Sequence, residues 1–251
     1  MHMMNCIIVQ GDHMKLKTSI QIIIKLSIIM ALLWYLPTYT LSSAKVFKAI
    51  EVPKPAQPVQ KLISQKKIHI YNTHQGEKYQ GYSVIDGAKH LSNLLNKMGY
   101  SCDVENNDFE NYKAVHKIAY DRSYLVSKLY LENAIQSHGH YDLVIDFHRD
   151  SIPKNYSTLT LNNHAYAKIL FVVGKSSGKF EAVQALSQQL SNRANHYANG
   201  ISKGIMVKQN HYNQGICDHT VLIEFGAQDN TKEEVQATIE IVAQTIRDYL
   251  Q

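Results

Sequence analysis

From residue 67 onward the apolar positions follow two rhythms. KIHIYNT (67–73), DLVIDFH (142–148), AKILFVVG (167–174) and HTVLIEFG (219–226) are short apolar runs of the length expected for buried strands. Between them the period lengthens to that of a helix. Over 84–98, Ile85, Ala88, Leu91, Leu95 and Met98 share one helical face, closed by Gly99. A long helical pattern covers 112–137, with Val115, Ile118, Leu125, Leu129 and Ile135 among its apolar positions. Residues 180–197 and 232–250 are further amphipathic helices, and 100–104 reads as a strand. Strands separated by helices predict an α/β fold, with a largely parallel central sheet and helices on both faces. No internal repeat appears.

The segment before residue 67 has a different character. Residues 20–41 read IQIIIKLSIIMALLWYLPTYTL, apolar except for Lys25 and a few hydroxyl or amide groups. As a helix this stretch is about 30 Å long, the thickness of one hydrocarbon core. Lys15 and Lys17 precede it, and Trp34 and Tyr35 lie toward its far end as interfacial anchors. The pattern predicts a cytoplasmic segment 1–19 (with Met14 as an alternative start) and a transmembrane anchor at 20–41. A Pro- and Lys-containing linker at 42–66 and an extracytoplasmic domain at 67–251 follow. The competing reading is a signal peptide cleaved near Ser42–Ala44, which would release a secreted protein.

Charge follows the same division. The 251 residues carry a net +5 and are 45% hydrophobic, which excludes a globally disordered chain. Residues 1–66 hold eight lysines against Asp12 and Glu51, a net of +6, which leaves the other 185 residues at −1. The basic character belongs to the arm, so no nucleic-acid partner is expected for the folded part. With no CxxC among the three cysteines, a thiolate zinc site is excluded, and the spacing of Cys102 and Cys217 predicts no bridge.

Three polar insertions interrupt the apolar runs. His74-Gln75-Gly76-Glu77 follows the first strand, Asp146-Phe147-His148-Arg149-Asp150 ends the DLVID run, and Glu224 sits inside VLIEFG. In open α/β sheets ligands bind outside the carboxyl ends of strands, where His74 and His148 fall. Two imidazoles and the Glu77 carboxylate suit a catalytic zinc that keeps one position open. Glu224, whose charge inside an apolar strand needs a partner, is the candidate acid/base. Each piece alone is weak: the chain has 13 His, Arg149 and Asp150 would make a local ion pair, and an edge strand would let Glu224 reach water. Their conjunction at three strand ends carries the reading.

IHIYNTHQGEKY, VIDFHRDS and VLIEFGAQDNTKEE, in that order, resemble the three motifs of the stage II sporulation protein P family. Asn72 stands where many members have His. That family is similar in turn to zinc-dependent N-acetylmuramoyl-L-alanine amidases. The resemblance, over about 67–251, implies Zn2+ held by His74, Glu77 and His148, with Glu224 as catalytic acid/base and Arg149 as an accessory residue at the site. It implies hydrolysis of the amide between muramic acid and the stem peptide of peptidoglycan, in septal thinning and engulfment. A lytic transglycosylase, stage II sporulation protein D, is the implied partner. The competing functions are another zinc-dependent wall peptidase or deacetylase, or a catalytically inactive, membrane-tethered wall-binding protein.

Overall fold

A computed structural model describes residues 65–251. The expected segment 1–19, the span 20–41 and all but the last two residues of the linker lie outside the described residues. Among the described residues no helix is long and apolar enough to cross a membrane.

The chain begins with β1 (Lys67–Tyr71), a tight hairpin β2 (Lys78–Tyr79) and β3 (Tyr82–Ser83), and helix α1 (Val84–Lys97). Strand β4 (Ser101–Val104), helices α2 (Phe109–His116) and α3 (Ser123–His138) and strand β5 (Leu143–Asp150) come next. A single turn α4 (Lys154–Ser157) leads into a second hairpin, β6 (Thr158–Leu161) and β7 (His164–Ala167). The remainder runs β8 (Ile169–Gly174), α5 (Phe180–Tyr197), β9 (Ser202–Lys208), β10 (Thr220–Ala227) and α6 (Lys232–Leu250). The central sheet has the order β4-β1-β5-β10-β8-β9. Its pairings are parallel except at β10–β8, which is antiparallel. The sequence-predicted α/β architecture with a mostly parallel sheet is thus observed, with one reversed junction.

The alternation of side chains sorts the two faces. Ile68, Ile70, Leu143, Ile145, Phe147, Val221, Ile223 and Phe225 point to one side and build the larger core with α1, α5 and α6. Tyr71 and Val144 point to the other side and pack with Phe109 of α2 and with Val126 and Leu131 of α3. Asp146 and His148 follow Val144 at intervals of two, so they share the α2–α3 face.

Local chemistry fixes the helix starts. Ser83 and Asp86 form a reciprocal capping box at α1, and Thr231 and Glu234 form another at α6. The continuous helix expected over 112–137 is instead two helices. Lys117, at φ +55°, closes α2 in the left-handed region, and Ile118 N–H donates to the Lys113 carbonyl (2.8 Å). A 3-10 turn at Tyr120–Arg122 then starts α3. Buried Lys113 holds this corner, donating to Glu110 (2.8 Å) and Ser123 (2.9 Å). Cys102 and Cys217 are buried and free.

Candidate metal centre

The carboxyl ends of β1 and β5 run side by side, with Tyr71 opposite Asp146, and the chain turns after β1 to place His74 and Glu77 above β5. His148 is almost fully buried; its Nδ1 lies 3.5 Å from Glu77 Oε2. The rings of His74 and His148 meet edge-on with centroids 5.3 Å apart. On the far side of β5, Glu224 is the register partner of His148 in β10. His74, Glu77, His148 and Glu224 are thereby brought to one strand-end cluster.

Arg149 is placed differently from the others. Its guanidinium donates to two backbone carbonyls, Lys78 (3.0 Å) and Asp150 (3.1 Å). Its own N–H donates to Glu77 Oε2 (3.1 Å). Arg149 therefore fastens the β2–β3 hairpin to β5 and orients Glu77. The local Arg149–Asp150 ion pair does not form; the Asp150 carboxylate meets Lys203 instead (3.1 Å).

Burial sets the electrostatics. Glu224 Oε2 is buried without a hydrogen-bond partner. Desolvation is the main reason its carboxyl is raised to about 7, with Glu77 and Asp150 adding to the effect and His148 opposing it. Burial disfavours a charged His148, but the Asp146 and Glu77 carboxylates outweigh it and hold the ring well above the usual imidazole range. Burial and the neighbouring His148 lower His74. An aromatic wall closes the cluster: Tyr120 stacks on His74 (4.5 Å between centroids) and Tyr124 lies parallel to His148 (6.4 Å). Tyr120 remains 60% exposed, and the Lys113 ammonium lies over its ring, 5.2 Å from the centroid.

The donor chemistry fits zinc. His74 Nδ1 is buried without a partner, and the second imidazole and a carboxylate stand beside it. Among the described residues, however, no three His, Cys, Asp or Glu side chains already stand at ligating distances. The cluster is thus an assembly of suitable donors, still short of a closed coordination shell.

Several residues of the quoted motifs prove to be structural. Asn72 Nδ2 donates to the carbonyls of Val84 (3.2 Å) and Phe147 (2.7 Å), tying β1 to α1 and β5. Gln75 caps α2, accepting from Phe109 N–H and donating to the Asn107 carbonyl (both 2.8 Å). Asn230, fully buried, accepts from Ala227 N–H and Ser157 and donates to Thr158 and Glu234. That knot locks the end of β10 and so the height of Glu224. Sequence reasoning gave no role to Asp146, whose carboxylate lies 2.9 Å from His148 Nε2; the spacing of two within a strand was the available signal.

Comparison with known proteins agrees with this architecture. A family model described as stage II sporulation protein P matches residues 39–247. The stage II sporulation protein P of Bacillus subtilis (strain 168) is 31% identical over 199 residues, covering 71% of this chain and 50% of that protein. The chain thus spans half the length of that relative. Among solved structures, the CwlD amidase from Clostridioides difficile, crystallised with the GerS lipoprotein, superposes with a TM-score of 0.52 at 15% identity. That likeness covers 74% of this chain and 98% of the amidase chain, and it concerns the fold. With more than four-fifths of its length inside the family match, the chain belongs to the stage II sporulation protein P family.

Proposed function

We propose that this chain is a zinc-dependent peptidoglycan hydrolase, an N-acetylmuramoyl-L-alanine amidase that cuts the bond between muramic acid and the stem peptide. The observation that carries the reading is Glu224, one strand away from a His–Glu–His donor set, with its Oε2 buried without a hydrogen-bond partner and its carboxyl raised to about 7.

His74, Glu77 and His148 would hold the ion. Zinc bound there would polarise the scissile carbonyl as a Lewis acid and bring the pKa of water toward about 7. The chain's own groups do the rest. Ionised Glu224 takes a proton from the water that adds to the amide carbon, and gives a proton to the nitrogen as the C–N bond breaks. An acid/base poised near neutrality suits both transfers. Arg149 keeps Glu77 in place, and Tyr120 stacks on His74 at the exposed edge of the cluster.

The same reading places the domain outside the cell membrane, tethered through 20–41 beside its polymer, in sporulation septal thinning and engulfment. The lytic transglycosylase stage II sporulation protein D is the partner proposed for it, cutting the glycan that this enzyme strips of peptides.

The test is incubation of the full chain, loaded with zinc, with purified peptidoglycan, followed by mass analysis of the products. Denuded glycan strands and stem peptides with a free L-alanine amine are expected. Cuts within the stem, or loss of acetyl groups alone, would instead identify a wall peptidase or a deacetylase. Binding without turnover would identify an inactive wall-binding protein.

A further inference from the structure

Asp146 is completely buried, and its carboxylate meets donors from Thr73 and the His148 ring. Oδ1 accepts from the Thr73 N–H (2.9 Å) and lies 2.9 Å from His148 Nε2. Oδ2 accepts from the Thr73 hydroxyl (2.7 Å). The Nε2 contact is close but bent, so His148 Nε2 has no strictly aligned hydrogen-bond partner. The opposite nitrogen, Nδ1, is the one that faces Glu77.

The polar chain continues inward. Thr73 has one hydroxyl proton and gives it to the carboxylate, so the 2.9 Å contact between its Oγ1 and Ser127 Oγ needs Ser127 as donor. Ser127 Oγ in turn accepts from Asn213 Nδ2 (2.9 Å). Asn213, at φ +55°, is held in a loop pinned by Gln214, which accepts from Gly174 N–H and donates to the Val172 carbonyl (both 2.7 Å). Thr73, Ser127 and Gln214 are fully buried. Each donor therefore points one step closer to a single carboxylate. A carboxylate shielded from water and given only donors stays in place.

We propose that Asp146 is a positioning residue for the metal centre: it holds the proton on His148 Nε2 so that Nδ1 is presented toward Glu77. Through Thr73 it also fixes the backbone next to His74, so one carboxylate orients both imidazoles. A histidine ligand whose other ring nitrogen donates to a carboxylate is fixed in tautomer and orientation. The inference rests on the zinc reading above for its consequence, but its geometric core concerns a proton and is independent of any ion.

Two measurements on the full chain test it. The first is made without metal: a downfield ring N–H resonance, identified by its loss in His148→Gln, should belong to Nε2 and exchange slowly. Rapid exchange at Nε2 in the wild-type chain overturns the proposal, whatever zinc does. The second is zinc affinity by competition with a chromophoric chelator. Asp146→Asn should bind zinc about 10–100-fold more weakly. Thr73→Val, which removes one of that carboxylate's donors but keeps the carboxylate beside the ring, should weaken zinc binding less than Asp146→Asn does. Equal affinity in wild type and a folded Asp146→Asn chain also overturns the proposal. If Asp146→Asn does not fold, the wild-type proton measurement decides alone. A wild-type chain that binds no zinc refutes the proposed function and leaves the proton result standing.

Discussion

Glu224 and His148 are direct neighbours across the parallel pairing of β10 with β5, on the face of the sheet covered by α2 and α3. A register slip of one residue would send Glu224 into the opposite, apolar core. The buried knot at Asn230, three residues beyond the end of β10, guards against that slip. The proposed acid/base and a proposed metal ligand are thus fixed to each other by backbone pairing rather than by a loop.

Glu224→Gln keeps the shape of the side chain and removes its ability to carry a proton. The variant should fold and retain one zinc per chain while turnover on peptidoglycan falls by about 10²–10⁴-fold. Product release and metal content measured on the same preparation check this. Wild-type turnover would remove Glu224 from the chemistry.

The pH dependence of stability has a definite sign. Glu224 is raised from 4.5 to about 7 in the fold, so the folded state favours its protonated form. Its contribution is full below pH 4.5 and is lost as pH rises through 7, a change of up to about 3 kcal/mol. His148, raised, acts in the same sense above 6.5, whereas His74, lowered, acts oppositely. Comparing metal-free wild type with Glu224→Gln isolates the carboxyl. In denaturant unfolding between pH 5 and 8, wild type should lose ground to the variant as pH rises, and a pH-independent gap would sink the assignment.

Removing the imidazole in His148→Ala takes away a proposed ligand and leaves the Asp146 carboxylate buried beside a void. Zinc content should fall to background, and stability should drop by about 3–5 kcal/mol, the scale for orphaning a buried charge. Metal analysis and thermal unfolding read the two effects separately. Unchanged zinc content would exclude His148 as a ligand.

Arg149→Lys preserves charge but cannot span two carbonyls with a planar fork. It should weaken zinc binding and turnover together by loosening the hairpin that carries Glu77, with global stability changing by about 1 kcal/mol or less. A selective loss of turnover at unchanged zinc affinity would instead give the guanidinium a direct place in the chemistry.

Gly226 sits at φ +68° immediately after the Glu224–Phe225 step, and an added Cβ would come within 2.5 Å of Asn230 Oδ1 and 2.7 Å of Ala167 Cβ. Gly226→Ala should cost about 2–3 kcal/mol from backbone strain and overpacking, read as a lowered thermal midpoint.

The buried strands were legible because their apolar runs have the length of strands covered on both faces, and α5 and α6 because their periodicity is clean. What escaped had physical reasons. Strand β9 (SKGIMVK) lies at the sheet edge with Met206 and Val207 about half exposed, so it carries no buried-strand signature. The break after α2 falls at Lys117, with neither Gly nor Pro to mark it. The β6–β7 hairpin turns on Asn162 and Asn163, both at positive φ, a turn signal overlooked between longer elements. At the site, residues at strand ends were readable one by one. The Thr73–Ser127–Asn213 chain was not, because it joins segments 54 and 86 residues apart whose meeting only the tertiary fold decides.

The proposed ligands also differ in how firmly the fold holds them. His148 belongs to a central strand paired on both sides, whereas Glu77 borders a hairpin of two-residue strands fastened from outside by Arg149. Such short pairings open more readily than a sheet interior. For an ion held between them, residence time is therefore governed by the hairpin, and a chelator should strip the metal from chains that remain folded.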